Sequence, residues 1–139
     1  MVLNFNINLL AVLVAGIVAI IIGSLWYGPL FGKAWMRLSK MTPKNMQEAK
    51  KKGMGKYYFA AFIIALITMY FLAVFLKTFG ATTILDSIVV SFFVWLGFIA
   101  TYSLSDVIWG GKPFTLYLMR VVETLITFEA AGIILTLWV

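Results

Sequence analysis

Four apolar runs divide the chain, at about residues 5–27, 57–79, 84–109 and 114–138, and the segment between the first two is the polar one. The first run carries no charge from Phe5 to Tyr27. At roughly 1.5 Å per residue it covers a hydrocarbon core of about 30 Å. It closes in the stretch Gly23–Trp35, GSLWYGPLFGKAW, where Trp26 and Tyr27 place amphipathic rings at a headgroup boundary. Pro29 lacks a donor and restricts Gly28, so the first helix is expected to end or bend there and a second to start at Pro29.

Beyond that break, Leu30, Phe31, Ala34, Trp35, Leu38 and Met41 recur at helical spacing, with Lys33, Arg37, Lys40 and Lys44 on another face. This pattern predicts an amphipathic helix lying in the interface, basic face toward anionic headgroups. Thr42-Pro43 then reads as an N-cap and first helical residue, and Gly53 as the residue after a C-cap, which gives a short polar helix over 43–52. The second run begins with Tyr57-Tyr58 and ends at Lys77, Phe79 and Gly80. After a tight turn, Asp86 falls in the first turn of the third run, where a carboxylate complements the helix dipole. Lys77 is expected to face it across the turn. The predicted fold is therefore all-α: four transmembrane helices in a bundle, with the interfacial and polar helices between spans one and two.

Composition agrees with a membrane location. Of 139 residues, 63% are hydrophobic and 12% charged, against roughly 25% charged in a soluble domain. Eight of the eleven Lys and Arg lie between Lys33 and Lys56. Lys and Arg are retained on the cytoplasmic side, so loop 33–56 is expected in the cytoplasm of a multi-pass cell-membrane protein with both termini outside. The start of the chain has no basic n-region, and no small-residue cleavage site follows the first run, so that run is expected to remain as an uncleaved anchor. The clustered charge points to membrane lipids, anionic ones above all, and away from nucleic acid. With no Cys and no His, no metal or cofactor site and no thiolate, imidazole or triad chemistry is expected, and no catalytic residue is assigned.

Ala11, Ala15, Ala19 and Gly23 fall at every fourth position of span one. Such a ridge of small residues lets helices approach closely in lipid, and it predicts a helix-packing face and a homo-oligomer. Span three carries Ser87, Ser91, Thr101 and Ser105, hydroxyls that in hydrocarbon bond their own backbone or a neighbouring helix. Span four carries Arg120, Glu123 and Glu129, the ionisable residues deepest in a span. Arg120 and Glu123 lie about 60° apart around the helix and are expected to pair. Glu129 has no partner on its own helix, and Tyr70 or Thr101 is the expected hydroxyl partner. Asp106 is expected to bond into the short loop 110–113 or to Arg120. Together Arg120, Glu123, Glu129, Tyr70, Thr101 and Asp106 form a candidate intramembrane polar site. Lys33, Arg37, Lys40 and Lys44 form a candidate headgroup-binding set.

A short internal echo accompanies these features. Span one ends WYGPLFGK and span three WGGKPF, while Leu-Ile-Thr recurs at Leu66–Thr68 and Leu125–Thr127. The echo suggests two helical hairpins in the same orientation, as in parallel-repeat transporters.

The segment LWYGPLFGKAWMRL at Leu25–Leu38, behind an apolar span, resembles the family catalogued as domain of unknown function 1761. The later GGKPFTLYL and the apolar run ending in Leu-Trp are similar to it as well, so the resemblance covers nearly the whole chain. It implies a small four-span integral membrane protein and supplies no catalytic or ligand residue. Two readings of function follow from the residues: a structural, regulatory or lipid- and partner-binding membrane protein, or a subunit of an oligomeric channel or transporter using the carboxylates of span four.

Overall fold

The computed structural model describes residues 2–138, and among them every regular element is helical. The first helix, α1, runs Leu9–Leu25. It begins later than the apolar run because Asn8 accepts hydrogen bonds from the backbone N–H of Leu10 and Ala11 at 3.0 and 3.3 Å. An N-cap of this kind takes up donors the helix itself leaves open. The residues before it are non-helical, and Asn4 N–H bonds the Thr78 hydroxyl at 3.0 Å.

At its other end α1 does not stop at Gly28-Pro29. The chain passes through the proline in a π-helical segment, Trp26–Leu30, in which Phe31 N–H reaches the Trp26 carbonyl at 2.8 Å. A wider turn gives the pyrrolidine ring room that an α-turn denies it. The break expected at Pro29 thus moves to Phe31, whose φ is −126°.

The next helix, α2, spans Gly32–Leu38, and it is shorter than the pattern predicts. Lys40 has φ 60°. Met41 N–H bonds the Met36 carbonyl at 2.9 Å and Lys40 N–H bonds Arg37 at 3.4 Å. This is a Schellman ending with a lysine where glycine is usual. Lys33 and Arg37 therefore lie on α2, Lys40 in the turn and Lys44 on α3, Pro43–Lys51. The four lysines and arginines do not form one helical face, because the chain reverses between them. Helix α3 itself matches expectation, with the Thr42 hydroxyl accepting from Asn45 N–H at 3.1 Å.

Helix α4 spans Gly55–Thr78. It ends in the same type of turn as α2, with Gly80 at φ 73° in the left-handed position. Helix α5, Ile84–Val94, opens with a capping box between Thr83 and Asp86. The recorded partners of the Asp86 carboxylate are Thr82 and Thr83, at 3.0 Å to each backbone N–H. The side-chain acceptor is used locally, in the cap. A second π-helical segment, Trp95–Ala100, follows, then the short helices α6, Thr101–Ser103, and α7, Ser105–Ile108. Helix α8 spans Phe114–Leu137.

The four long helical stretches pack as two hairpins, α1 on α4 and α5 on α8, with α8 also lying along α1 and α4. Ala11 and Ala15 are buried in this contact, with Ala19 packed against it. The Ala11 and Ala15 half of the small-residue ridge is thus occupied within the chain, while Ala19 and Gly23 border an open cleft. Nearby, a Cβ on Gly16 would come within 2.8 Å of the Leu66 side chain of α4. Helices α5 and α8 approach closely where Ser87 and Ser91 are fully buried and a Cβ on Gly132 would collide with the Ser91 hydroxyl.

Three helical stretches are long and apolar enough to cross a bilayer: Leu9–Leu30, Gly55–Thr78 and Ile84–Ile108. Helix α8 is as long but carries Arg120, Glu123 and Glu129, and it is not among them. It buries nine residues, against four in α1 and five in α4. The helix with the charges is the one the others enclose most.

Candidate functional site

The polar residues of α8 sort by their neighbours. Near the start of the helix, Arg120 is exposed, within electrostatic reach of Tyr27 in the first π segment. One turn on, Glu123 is buried. Its Oε1 accepts a hydrogen bond from the Thr127 hydroxyl at 2.9 Å and sits 3.8 Å from where a Cβ on Gly23 would be. The last residue of the small ridge thereby makes room for a carboxylate.

The ion pair expected between Arg120 and Glu123 is not what forms. Glu123 turns along its own helix toward Thr127 and α1, while Arg120 stays exposed. A long side chain near a helix end gains by carrying its charge toward the polar boundary, and Arg120 follows that rule.

Glu129 keeps one buried oxygen, Oε2, without a hydrogen-bond partner. Neither expected hydroxyl supplies it. Thr101 donates instead to the Gly97 carbonyl at 2.9 Å, the backbone bonding that hydroxyls adopt in apolar surroundings. Tyr70 packs against the apolar core with its ring edge-on to Phe71. Structure therefore separates the six polar residues named from sequence: Arg120 and Asp106 share one cavity, Glu123 faces α1, and Glu129, Tyr70 and Thr101 stand apart from it.

That shared cavity lies where α7 turns into α8. It encloses about 50 Å³, or about 400 Å³ with its open mouth, and Asp106, Lys112 and Arg120 line it together with Ser103, Tyr117 and Thr124. The loop beneath it is held by the Asp106 main chain rather than its side chain. Lys112 N–H bonds the Asp106 carbonyl at 3.2 Å, and a Cβ on Gly110 would press within 2.6 Å of the same oxygen. Above it, Trp95 fixes α8. Its indole N–H is shared between the Val121 carbonyl at 2.9 Å and the Thr124 hydroxyl at 3.0 Å. The Tyr117 hydroxyl donates to the Ala100 carbonyl at 2.6 Å, closing the other wall.

Trp95, Tyr27, Tyr117 and Lys112 were not among the residues that the sequence pattern assigned to a polar site. The tyrosines do sit where polar-tipped rings are enriched, near the ends of apolar runs. That signal marks depth but not direction. On the opposite flank, between α1 and α4, a wider cleft of about 500 Å³ runs beside Gly23 and Tyr27 to Met46 and Met54. Among the described residues, no group of three acidic, Cys or His residues is placed to hold a metal ion.

The fold and this polar region define a small all-helical protein whose apolar helices are of membrane-spanning length. The chain belongs to the family described as protein of unknown function (DUF1761), whose model matches residues 10–136. No curated protein and no solved structure matches it.

Proposed function

We propose that the chain is a four-span integral membrane protein with a binding rather than a catalytic role, and that loop 33–56 holds anionic lipid headgroups. The observation that carries this reading is the placement of charge. Eight of eleven Lys and Arg lie in the one segment that forms α2, α3 and the turns around them, between the ends of two apolar helices. Each exposed cation near an anionic surface is worth about 1 kcal/mol. The fourth span, α8, is supported by its burial: charges in a membrane helix face protein or water, and Glu123 faces α1. The reading places loop 33–56 in the cytoplasm and both termini outside.

The test is co-purification of lipid. Replacing Lys33, Arg37 and Lys40 together by Gln is expected to lower the anionic lipid retained with the purified protein. Equal retention would remove the headgroup role from this loop.

A second reading, a subunit of an oligomeric channel or transporter, is favoured by the unpartnered Glu129 oxygen. Because Ala11 and Ala15 are buried within the chain, such an oligomer would assemble through another face or through the Ala19–Gly23 end of the ridge. Glu129→Gln should then abolish a pH- or cation-dependent flux in liposomes while the protein stays folded. A Glu129→Gln variant with unchanged flux, or a wild type with none, rejects it.

A further inference from the structure

The cavity between α7 and α8 presents a mixed set of charges. Asp106 supplies a carboxylate, and Lys112 and Arg120 supply two cations. Two of the hydroxyls in the wall are committed to the protein: Tyr117 donates to Ala100 and Thr124 to Val121. The charged groups and the Ser103 hydroxyl are what remains for recognition. A simple anion placed here would meet Asp106, and a simple cation would meet Lys112 and Arg120. A molecule carrying both signs a few ångströms apart satisfies all three.

Position narrows the chemistry. Arg120 is six residues into α8, roughly 9 Å along its axis, and a long side chain recovers much of that depth. Lys112 lies in the loop itself. The site therefore falls at the headgroup layer at the end of the bundle that carries the basic loop, a placement that rests on the four-span reading above. Val107 and Leu116 line the same cavity and offer apolar surface to the start of an acyl chain. The enclosed volume accepts a phosphate-sized group, and the open mouth leaves room for the remainder.

We propose that this cavity binds the phosphoethanolamine headgroup of a membrane lipid, with its ammonium on Asp106 and its phosphate on Arg120 and Lys112. The ammonium is the discriminating group. A primary ammonium donates N–H bonds to a carboxylate, whereas a quaternary ammonium of the same charge has none to donate.

The experiment uses the full chain, delipidated in detergent, with phosphatidylethanolamine, phosphatidylcholine and phosphatidylglycerol of identical acyl chains added back. Bound lipid is read by native mass spectrometry and the melting temperature is followed in parallel. Phosphatidylethanolamine should be retained about tenfold better than phosphatidylcholine, the worth of one charge-assisted hydrogen bond. Asp106→Asn should erase that preference and raise phosphatidylglycerol retention. Arg120→Gln should lower retention of all three lipids. The Asp106 carbonyl that holds the loop survives Asp106→Asn, so the variant should melt with the wild type.

Equal retention of the ethanolamine and choline lipids by the wild type overturns the proposal, as does a preference that persists in Asp106→Asn. Soluble phosphoethanolamine should displace the lipid; displacement by inorganic phosphate at equal concentration would assign the site to free phosphate instead. The Lys33, Arg37 and Lys40 variant does not touch this cavity and should keep the ethanolamine preference. If that variant loses anionic lipid while Asp106→Asn changes nothing, the basic loop keeps its role and this cavity loses its own.

Discussion

The Glu123 carboxylate accepts its hydrogen bond from Thr127, one turn along the same helix, at 2.9 Å, while Arg120, one turn the other way, is exposed and lines the cavity between α7 and α8. This reverses the stability ranking an ion pair would impose. Glu123→Gln keeps a side-chain carbonyl that accepts from Thr127, and it should cost less than about 1 kcal/mol. Thr127→Val keeps the shape and removes the donor, leaving a buried acceptor unsatisfied at a cost of about 1–3 kcal/mol. Melting of both variants in detergent checks the order. A larger loss in Glu123→Gln than in Thr127→Val would restore the ion pair with Arg120.

The crossing of α5 and α8 depends on size at one position. Gly132→Ala places a methyl group on the Ser91 hydroxyl and should destabilise by about 1–3 kcal/mol, the range for overpacking. Ser91→Gly in the same chain should recover most of the loss. Ser91→Ala alone should be near neutral, since the Ser91 hydroxyl is buried without a partner. A double variant no better than Gly132→Ala would show that the helices do not meet here. Gly16→Ala is the control: its collision is with the far end of Leu66, a flexible group that can move, so its cost should be smaller.

Topology follows from whether α8 spans. Four spans put both termini on one side of the membrane, three put them on opposite sides. Reporters active only outside the cytoplasm, fused separately to the N- and C-terminus, should both be active. One active and one silent, with equal expression, would leave α8 as a buried or interfacial helix.

Lys40 occupies the left-handed region at φ 60°, which costs an L-residue roughly 1–2 kcal/mol. Lys40→Gly relieves this but loses roughly 0.5–1 kcal/mol of chain entropy, so the net gain should be up to about 1 kcal/mol. A fall in melting temperature would argue against the turn that ends α2.

Much of the architecture was legible in the chain because the signals were local. The cap at Thr42, the turn at Gly80 and the limits of α4 and α8 each depend on a few neighbouring residues. The α1 ridge was legible as a contact, but not its partner, because spacing describes one helix surface and leaves the other blank. The candidate site was legible only as a set of residue types. Periodicity gave Arg120 and Glu123 the right separation to pair. What drew them apart was tertiary: Gly23 opens a place for the carboxylate, and the cavity between α7 and α8 takes Arg120. Neither influence leaves a mark within α8. Pro29 misled for a related reason, since a proline that stops an α-helix is accommodated by a π-turn.

The second π segment has a geometric consequence for where Asp106 points. At about 100° per residue, an uninterrupted α-helix that turns Ser87 and Ser91 toward α8 would carry Ile99, Ser103 and Asp106 roughly a third of a revolution away from it. The Trp95–Ala100 segment takes up about one extra residue, winding the downstream helix back by about 100°. The angular phase lost to the twist of the α-helix is thereby restored, and Ile99, Ser103 and Asp106 line the cavity against α8. Chain length, as much as residue identity, sets the aim of the carboxylate. Excision of Gly97, which has open space where a Cβ would stand, would remove that extra residue and let the segment close into a regular α-helix, leaving Asp106 on the face toward α8.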